Sequence, residues 1–581
     1  MKAQTKPRIV FSVLEETAAA HPTVVALQQP VGGGPKGKHE PRSLTWAEYC
    51  DQVRQIAVGI RELGIAKGEI VALQSETRIE FYLADLGLMA AGAIAAALYT
   101  SLPFADQVRT LKASDAKYVF VENVKAMRGL EAAGAEACWI LLSGESDGLV
   151  TLEQIRQMGE QRLAADPDAY EKIRAEISPS DLAVLYMTSG ATGEPKMGLV
   201  TQRALVANMD HAPFVLPLTP EDVTIAFLPS AHIAQRVVVE LVPIRQGSCV
   251  YFSEGLSKLP NEIRNVRPTF FLAPPRVWER VYANITAEIK KRPAAIRKLF
   301  YLGLGVGSEA SRLRQAGKPI PVTMRLSLKF FDRVVFKKIR DRLGGRLRIA
   351  ASGAAPLGKD LAEFYAAIGM PLVEGYGLTE GGVTALNPLD RPKAGSIGKL
   401  LPQVEARLED DGELLLRGDT IFSGYYKDPE ATAAVLRDGW LATGDIAEQD
   451  AEGYWYITGR KKELIVSSNG KKIYPARIEV LFKREPAINQ VLLIGDRLPY
   501  VTALFTVNDS TDETRTSVEQ AVKDVNRQLA SFEQIRKFKI LEKEFTIENG
   551  EVTPTMKIRR SRVLENYRSL VSEMYMGKDI D

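Results

Sequence analysis

The chain reads as an α/β protein of parallel sheets covered on both faces by helices, closed by a smaller α+β unit. Three observations predict this. Its 581 residues exceed what one hydrophobic core serves, so three or more compact units are expected. Short apolar runs alternate with amphipathic stretches through residues 70–143, the pattern of strand–helix–strand crossovers. Beyond residue 478, EVLFKREP, QVLLIGD and VTALFTV surround one helical stretch near 516–529, which reads as a compact α+β unit.

Taken in order, residues 7–30 predict a helix and then a strand, VVALQQ. VGGGPKGKHEPR is a polar, glycine-rich hairpin loop. SLTWAEYCDQVRQIAVGIRELGI is a helix, because Val53, Ile56, Ala57, Ile60 and Leu63 recur at helical spacing, with Ser43 as its N-cap. Strands at 70–75, 93–99, 118–122 and 138–143 then alternate with helices at 78–91, 105–113 and 124–133. A strand LAVLY, a helix at 202–212 and strands at 223–229, 249–252 and 269–281 follow. RLRIAASGAAPLG (346–358) is a strand ending in small residues. No fixed-period repeat or low-complexity tract interrupts this order.

Composition narrows the function classes. With 45% hydrophobic and 25% charged residues the chain is an ordinary globular protein, and a net charge of +3 argues against whole-protein nucleic-acid binding. The charge is unevenly placed: residues 258–348 hold 22 Lys and Arg against 6 Asp and Glu. The helical patterns in 290–348 are therefore either solvated amphipathic helices or a surface drawn to anionic lipid headgroups or an anionic substrate. Cys50, Cys138 and Cys249 have no paired spacing, and His21, His39, His211 and His232 form no metal-binding cluster. The first 22 residues carry no signal-peptide pattern, and the apolar segment 86–99 is short of the roughly 20 residues a membrane span needs, so a cytoplasmic protein is expected.

The chemistry concentrates in YMTSGATGEPKMG (186–198), an apolar strand running into hydroxyls, glycines and a lysine. Glycines let backbone approach a phosphate, amides and hydroxyls donate to its oxygens, and a lysine supplies counter-charge. The stretch is not a Walker A loop, since Pro195 precedes and Met197 follows Lys196; a plain Ser/Thr/Gly turn is the other reading. In PLVEGYGLTEGG (371–382) the small residues admit a flat ring beside Tyr376, and Glu380, next to Thr379, suits a Mg2+ that bridges phosphates, although a Gly-rich capping turn is the other reading. Asp445, after a strand, can accept from a ribose diol, with Arg460 in a turn further on. His232 sits just past a strand end, where a capping or core role competes with a catalytic one. Lys557 follows a Gly-Glu-x-Thr-Pro-Thr turn.

Seven motifs stand in order: YMTSGATGEPK (186–196), LPSAHIAQRV (228–237), ASGAAPL (351–357), EGYGLTE (374–380), GWLATGD (439–445), GRKKELIVSSNGKKIYPARIE (459–479) and GEVTPTMKIRR (550–560). Together they make the chain resemble the adenylate-forming superfamily of acyl-CoA synthetases, luciferases and peptide-synthetase adenylation domains. Within it the chain is most similar to long-chain fatty acyl-CoA synthetases, over about residues 10–570. The resemblance implies a large N-terminal domain, 1–461, of parallel-sheet α/β subdomains plus a β-barrel-like subdomain, and a mobile α+β C-terminal domain, 462–581, that swings about Lys462. It implies ATP, Mg2+ and CoA as reactants with a fatty acid, through an acyl-AMP intermediate. Thr188, Ser189, Gly190, Thr192, Gly193 and Lys196 would cradle the β- and γ-phosphates, and Thr188 and Glu380 would hold Mg2+. Gly353, Ala354, Ala355, Glu374, Gly375, Tyr376 and Gly377 would form the adenine pocket, and Thr379 would touch the α-phosphate. Asp445 would bind the ribose, with Arg460 beside it. Lys557 would serve the first step, and segment 467–473, with Gly470, the second. His232 matches the carboxylate end of the acyl pocket, and Trp278 a position at its wall or gate.

The chain departs from the family pattern at Ala191, Met197, Gln202, Ala234 and Gln235. The first removes a phosphate-facing hydroxyl. Two other outcomes are carried: from a neighbouring class, an acyl-AMP ligase that loads a carrier protein, and, because of Ala191 and Met197, a homologue weakened in catalysis. Oligomeric state is left open.

Overall fold

The computed structural model describes residues 8–30, 41–189, 195–370 and 372–575. Its largest sheet has eight strands in the order Gly424–Tyr425, Pro195–Thr201, Leu182–Ser189, Ile94–Ala97, Ile70–Gln74, Tyr118–Val121, Cys138–Leu141, Val150–Thr151. The six strands from Leu182–Ser189 onward run parallel; the first two are antiparallel additions. Parallel neighbours need long crossovers, and helices Ile79–Ala90, Phe104–Ala113 and Val124–Ala132 supply them. Covered on both faces, these strands carry near-continuous apolar runs such as Ile70–Gln74, buried throughout.

A four-stranded sheet places Val223–Ala226 and Cys249–Phe252 beside Val25–Gln29 and Arg42–Thr45. A third sheet begins with parallel strands Phe270–Ala273, Ile349–Ser352 and Leu372–Leu378, then turns antiparallel through Gly382–Leu386 and Lys399–Leu400. Where a β-barrel-like subdomain was expected, Glu405–Leu408, Glu413–Arg417, Trp440–Gln449, Leu436–Arg437 and Trp455–Arg460 form an antiparallel sheet, and no described ladder closes it into a barrel. The last part of the chain holds a three-stranded sheet, Ile488–Ile494, Val501–Val507 and Ile535–Leu541, with helix Asp512–Asn526. The apolar cores built from residues 465–575 share no residue with those built from 9–455.

Two local expectations are corrected. The N-cap of helix Trp46–Glu62 is Thr45, not Ser43: its hydroxyl accepts from Glu48 N–H at 3.3 Å while Glu48 reaches back to Thr45 N–H at 2.8 Å. Ser43 belongs to the preceding strand. The strand expected over 269–281 stops at Ala273, and Pro275 opens helix Pro275–Lys290, because a proline lacks the N–H a strand needs and suits a first helical turn. The glycine-rich loop expected near 31–42 falls largely outside the described residues. No described helix is long and apolar enough to cross a membrane.

Candidate active site

At the carboxyl ends of the parallel strands lies one cavity of about 1920 Å³. Open α/β sheets bind ligands at this edge, where strands end in loops and helix starts. The strands deliver its walls in turn. Ile349–Ser352 leads to Gly353 and Ala354, and Leu372–Leu378 to Gly375, Tyr376, Gly377, Thr379 and Glu380. Ala354 holds a left-handed backbone, φ +70°, which bends the loop sharply after the strand. Gly377 has no room for a side chain: a Cβ there would stand 2.6 Å from Gly382 O. Lys196 stands on the antiparallel strand opposite Thr188, and a Cβ at Gly198 would touch Thr379 Cγ2 at 3.4 Å, so that strand runs directly against the 379–380 turn.

Glu380 Oε1 accepts from the Tyr425 hydroxyl at 2.6 Å, and Lys196 Nζ lies 4.8 Å from the centre of the same ring. Tyr425 thus fixes a carboxylate and an ammonium on one stretch of wall. Burial and the adjacent Glu380 raise its phenol well above the ordinary range, so it stays a donor. Asp445 is 2% exposed and sits behind the wall, where Tyr376 donates to Oδ2 at 2.5 Å and Arg460 meets Oδ1 at 2.9 Å. Its strand pairs directly with that of Arg460, so backbone register sets this contact. Gly444, at φ +71°, kinks the chain just before it.

Glu413 and Lys461 were not singled out in the sequence. Glu413 Oε1 accepts from Gly444 N–H at 2.9 Å, and its Oε2 takes Lys461 Nζ at 2.7 Å, with Asp411 2.5 Å from the same ammonium. One carboxylate therefore joins the turn before Asp445 to the turn Lys461–Glu463, which holds Lys462 on the cavity wall. No local signal marks this link, because its members lie 31 and 48 residues apart.

Lys557 reaches the same cavity from the last part of the chain. Its loop is a tight crossing: Thr553 N–H donates to Lys557 O at 2.8 Å, Lys557 N–H to the Thr553 hydroxyl at 3.1 Å, and Met556 sits at φ +63°. Lys557 is exposed and lines this cavity, whose walls surround it. Burial and then Arg460 lower its pKa from the ordinary lysine range, while Asp445 and Glu380 oppose the shift. His232 also lines the cavity. Its Nδ1 accepts from Ala234 N–H at 3.2 Å, and burial, with Lys557, pushes its pKa down to about 3, so the imidazole is neutral at physiological pH. Beyond it, helices Gln202–Val215 and Ala234–Leu241 present an apolar wall of Ala212, Val215, Val237 and Val238.

Several singled-out residues lie elsewhere. Ala355 is exposed beside the cavity, and Gly470 is at the open tip of the hairpin Ile465–Val466/Lys472–Ile473 with nothing within 4 Å of a Cβ. Trp278 is fully buried, its Nε1–H 3.2 Å from both Ala273 O and Ala351 O, so it stitches two strands together rather than lining the cavity. Gln202 is a core anchor, accepting from Val10 N–H and donating to Met89 O, each at 3.0 Å. Gly190, Ala191, Thr192 and Gly193 lie outside the described residues, and Thr188 and Ser189 are described as strand backbone only.

Glu374 faces a covered site: Leu357 N–H donates to its Oε2 at 3.1 Å, and burial raises its pKa to about 7 against the Leu357 N–H and Lys483. Between 4.5 and about 7 the folded protein keeps a proton that the unfolded chain has released, so stability falls as pH rises through that window. Above it the charge costs on the order of 3 kcal/mol. Glu374→Gln is expected to raise the denaturant midpoint at pH 8 and leave it nearly unchanged at pH 4, below both values. Equal midpoints for both proteins at pH 8 contradict this account of the group.

A wide cleft at the ends of parallel strands, with a separate C-terminal core delivering a lysine into it, defines a two-part ligand-handling enzyme of the α/β class. The model for AMP-binding enzymes matches residues 14–426, and that for the AMP-binding enzyme C-terminal domain matches 462–579. The chain is 34% identical over 565 residues to the long-chain-fatty-acid–CoA ligase FadD15 of Mycobacterium tuberculosis, covering 92% of each. It is 29% identical to fatty acyl-CoA synthetase A of Dictyostelium discoideum, covering 95% of this chain and 88% of that one. Among solved structures, an anthranilate CoA ligase in complex with anthranoyl-AMP aligns with TM-score 0.74 at 19% identity, over 98% of this chain and all of that one. The adenylation domain of a carboxylate reductase from Mycobacterium chelonae aligns with TM-score 0.75 at 20% identity, over 99% and 92%. The protein belongs to the AMP-binding enzyme family.

Proposed function

We propose that the protein is a long-chain fatty acid–CoA ligase that works through an acyl-adenylate. One observation carries this reading: a single cavity is lined by the cationic groups Lys196, Arg460 and Lys557, by neutral His232 and by apolar side chains. The names of the 34%-identical relatives point the same way.

In the first step a carboxylate oxygen of the fatty acid attacks the α-phosphorus of ATP. An O–P bond forms, the bond to the β-phosphate oxygen breaks, and pyrophosphate leaves. Phosphoryl transfer depends on positioning and charge neutralisation. Lys196 serves the outgoing phosphates and Thr379 the α-phosphate; Asp445 would reach the ribose hydroxyls, with Arg460 beside it, as its contacts with Tyr376 and Arg460 open. Tyr376 lies against the adenine, with Gly353, Ala354, Gly375 and Gly377 leaving space for the ring. Lys557 adds positive charge at the carboxylate and bridging oxygen. Neutral His232 lets the carboxylate enter without a competing ion pair.

The residues suit Mg2+. Glu380 offers Oε2, which has no hydrogen-bond partner among the described residues, on a wall with no other carboxylate bonded to Tyr425. Thr188 and Glu380 would hold the ion, which neutralises phosphate charge when bound.

In the second step the CoA sulfur attacks the acyl carbon, the C–O bond to AMP breaks, and the thiol proton is lost. This step needs Lys557 withdrawn and segment 467–473, with Gly470, brought to the thiol channel. The domains 1–461 and 462–581 would turn at Lys462. Side-chain ties across that boundary are polar: Lys483 with Glu279 at 3.0 Å, Arg484 with Asp360 at 3.1 Å, and Arg276 to Asn489 O. Such contacts exchange for water at low cost. Contact of 290–348 with an anionic membrane belongs to the same reading.

The test is incubation with a long-chain fatty acid, Mg-ATP and free CoA. Acyl-CoA, AMP and pyrophosphate are expected. Acyl-AMP without acyl-CoA would transfer the reading to a carrier-loading ligase, and absence of fatty-acid-dependent ATP–pyrophosphate exchange would leave a binding protein.

A further inference from the structure

Four residues, Lys461, Lys462, Glu463 and Leu464, link the N-terminal and C-terminal bodies of the chain. Arg460 ends a strand whose register with Asp445 keeps it in the N-terminal body, and Ile465, buried, already belongs to a C-terminal core. None of the four is glycine or proline, so the backbone chemistry does not mark where the link turns. The side chains do. Lys461 is tied back to the N-terminal body: its Nζ lies 2.5 Å from Asp411 Oδ2 and 2.7 Å from Glu413 Oε2, and Glu413 is itself buried and accepts from Gly444 N–H. Glu463, two residues on, is tied forward, with its Oε2 3.6 Å from Arg560 Nε. Arg560 is anchored in the C-terminal body, where its Nη2 lies 2.5 Å from Glu479 Oε1 and its Nη1 donates to Leu493 O at 3.0 Å. Lys462 stands between the two ties, and among the described residues no hydrogen bond or ion pair holds its side chain.

We infer that Lys461 and Glu463 are positioning residues, two opposed ion-pair clamps that confine the turning of the C-terminal body to the backbone of Lys462. The inference rests on the ligase reading, in which that turn separates the two half-reactions. A link that bends at four residues brings the body in along many paths, whereas a link that bends at one defines a single axis. The forward clamp also reaches the chemistry. Arg560 follows Lys557 by three residues, and Arg559 N–H between them donates to Glu551 O at 2.7 Å, so the clamped arginine and the lysine loop move as one piece. Magnitude decides what such contacts can do. Lys461 and Glu463 are partly exposed, and an exposed ion pair shifts an equilibrium by a factor of about two to five. That is too little to hold the fold and enough to select among neighbouring bonds of similar stiffness. Each clamp lies within one body, so neither has to break when the C-terminal body turns. The ties Lys483–Glu279 and Arg484–Asp360 differ in this respect, because they cross the boundary.

The test uses the full chain without nucleotide, fatty acid or CoA. Spin labels are placed on Cys138, which is exposed while Cys50 and Cys249 are buried, and on Glu519→Cys in helix Asp512–Asn526. Pulsed electron resonance then reads the distance between the two bodies. The wild type is expected to give narrow components, one for each arrangement it populates. Glu463→Gln and Lys461→Met should each broaden them about twofold, whereas Lys461→Arg should keep the wild-type width. Lys462→Ala, which removes a charge but no clamp, should leave the width unchanged. Salt at about 1 M should broaden the wild type toward the clamp variants. Trypsin cleavage after Arg460, Lys461 or Lys462 should quicken about three- to fivefold in Glu463→Gln, with no change of melting temperature. Unchanged widths in both clamp variants, or equal broadening in Lys462→Ala, would overturn the inference. Broadening that comes only with a lowered melting temperature would overturn it too, as loosening of the fold rather than of the link. Because no substrate is present, any of these leaves the ligase reading standing.

Discussion

Lys557→Ala is expected to lower fatty-acid-dependent ATP–pyrophosphate exchange by roughly 10²–10³-fold, the cost of losing one preorganised group at developing charge. Conversion of supplied acyl-AMP and CoA to acyl-CoA should stay near the wild-type rate. The two half-reactions separate because only the first builds charge at the α-phosphate, where Lys557 faces the cavity beside Arg460 and Glu380. The lysine enters on a loop of the C-terminal core, closed by the Thr553–Lys557 hydrogen bonds, so truncating its side chain leaves the loop's backbone intact. Lys557→Arg keeps the charge and should recover part of the exchange rate. Equal loss of both half-reactions would count against domain rotation, since one fixed arrangement would then serve both steps.

Asp85→Ala is expected to cost about 3–5 kcal/mol of stability, because it strands a buried cation. Asp85 and Arg236 have no exposed side-chain surface and meet through two contacts, Nε–Oδ2 at 3.0 Å and Nη2–Oδ1 at 2.5 Å. Arg236 also lies 5.1 Å over the ring of Tyr186, on the strand that leads to residues 190–194. Glu240 is buried beside the pair, where burial and then Asp85 raise its pKa well above the usual carboxylate range. The pair anchors the π-helical segment Ala234–Leu241 to helix Ile79–Ala90, and that segment carries Val237 and Val238 of the apolar wall. Denaturant unfolding should show the loss, and the KM for the fatty acid should rise with it. A double variant, Asp85→Leu with Arg236→Met, should recover much of the stability. A single-variant cost below about 1 kcal/mol would show that water reaches the pair.

What the sequence made legible was chemistry carried by local pattern. The strand–helix alternation of 70–143 anticipated the parallel sheet, and the motifs around Lys196, Tyr376, Glu380, Arg460 and Lys557 point to residues that share one cavity. Facing and long-range pairing were not legible. Glu374 and Tyr376 stand two apart on one strand, a spacing that sets both on one side, yet the sequence does not reveal that Leu357 folds over the first. Trp278 looks like a pocket aromatic beside two prolines, but its N–H is drawn between two strand carbonyls. Tyr425 gave no signal, because an edge strand of two residues is recognised only by its partner, Gly198–Leu199. Ser43 and Thr45 are both plausible caps, and only Thr45 has a glutamate three residues on.

The proposed chemistry begins with direct attack of the fatty carboxylate on the α-phosphorus within this cavity. Fatty acid labelled with 18O in both carboxyl oxygens tests that step most directly. One labelled oxygen should appear in the phosphoryl group of the released AMP and none in pyrophosphate, because the carboxylate oxygen that forms the O–P bond stays with phosphorus when CoA takes the acyl group. Label in inorganic phosphate, or unlabelled AMP alongside acyl-CoA, would contradict the acyl-adenylate mechanism.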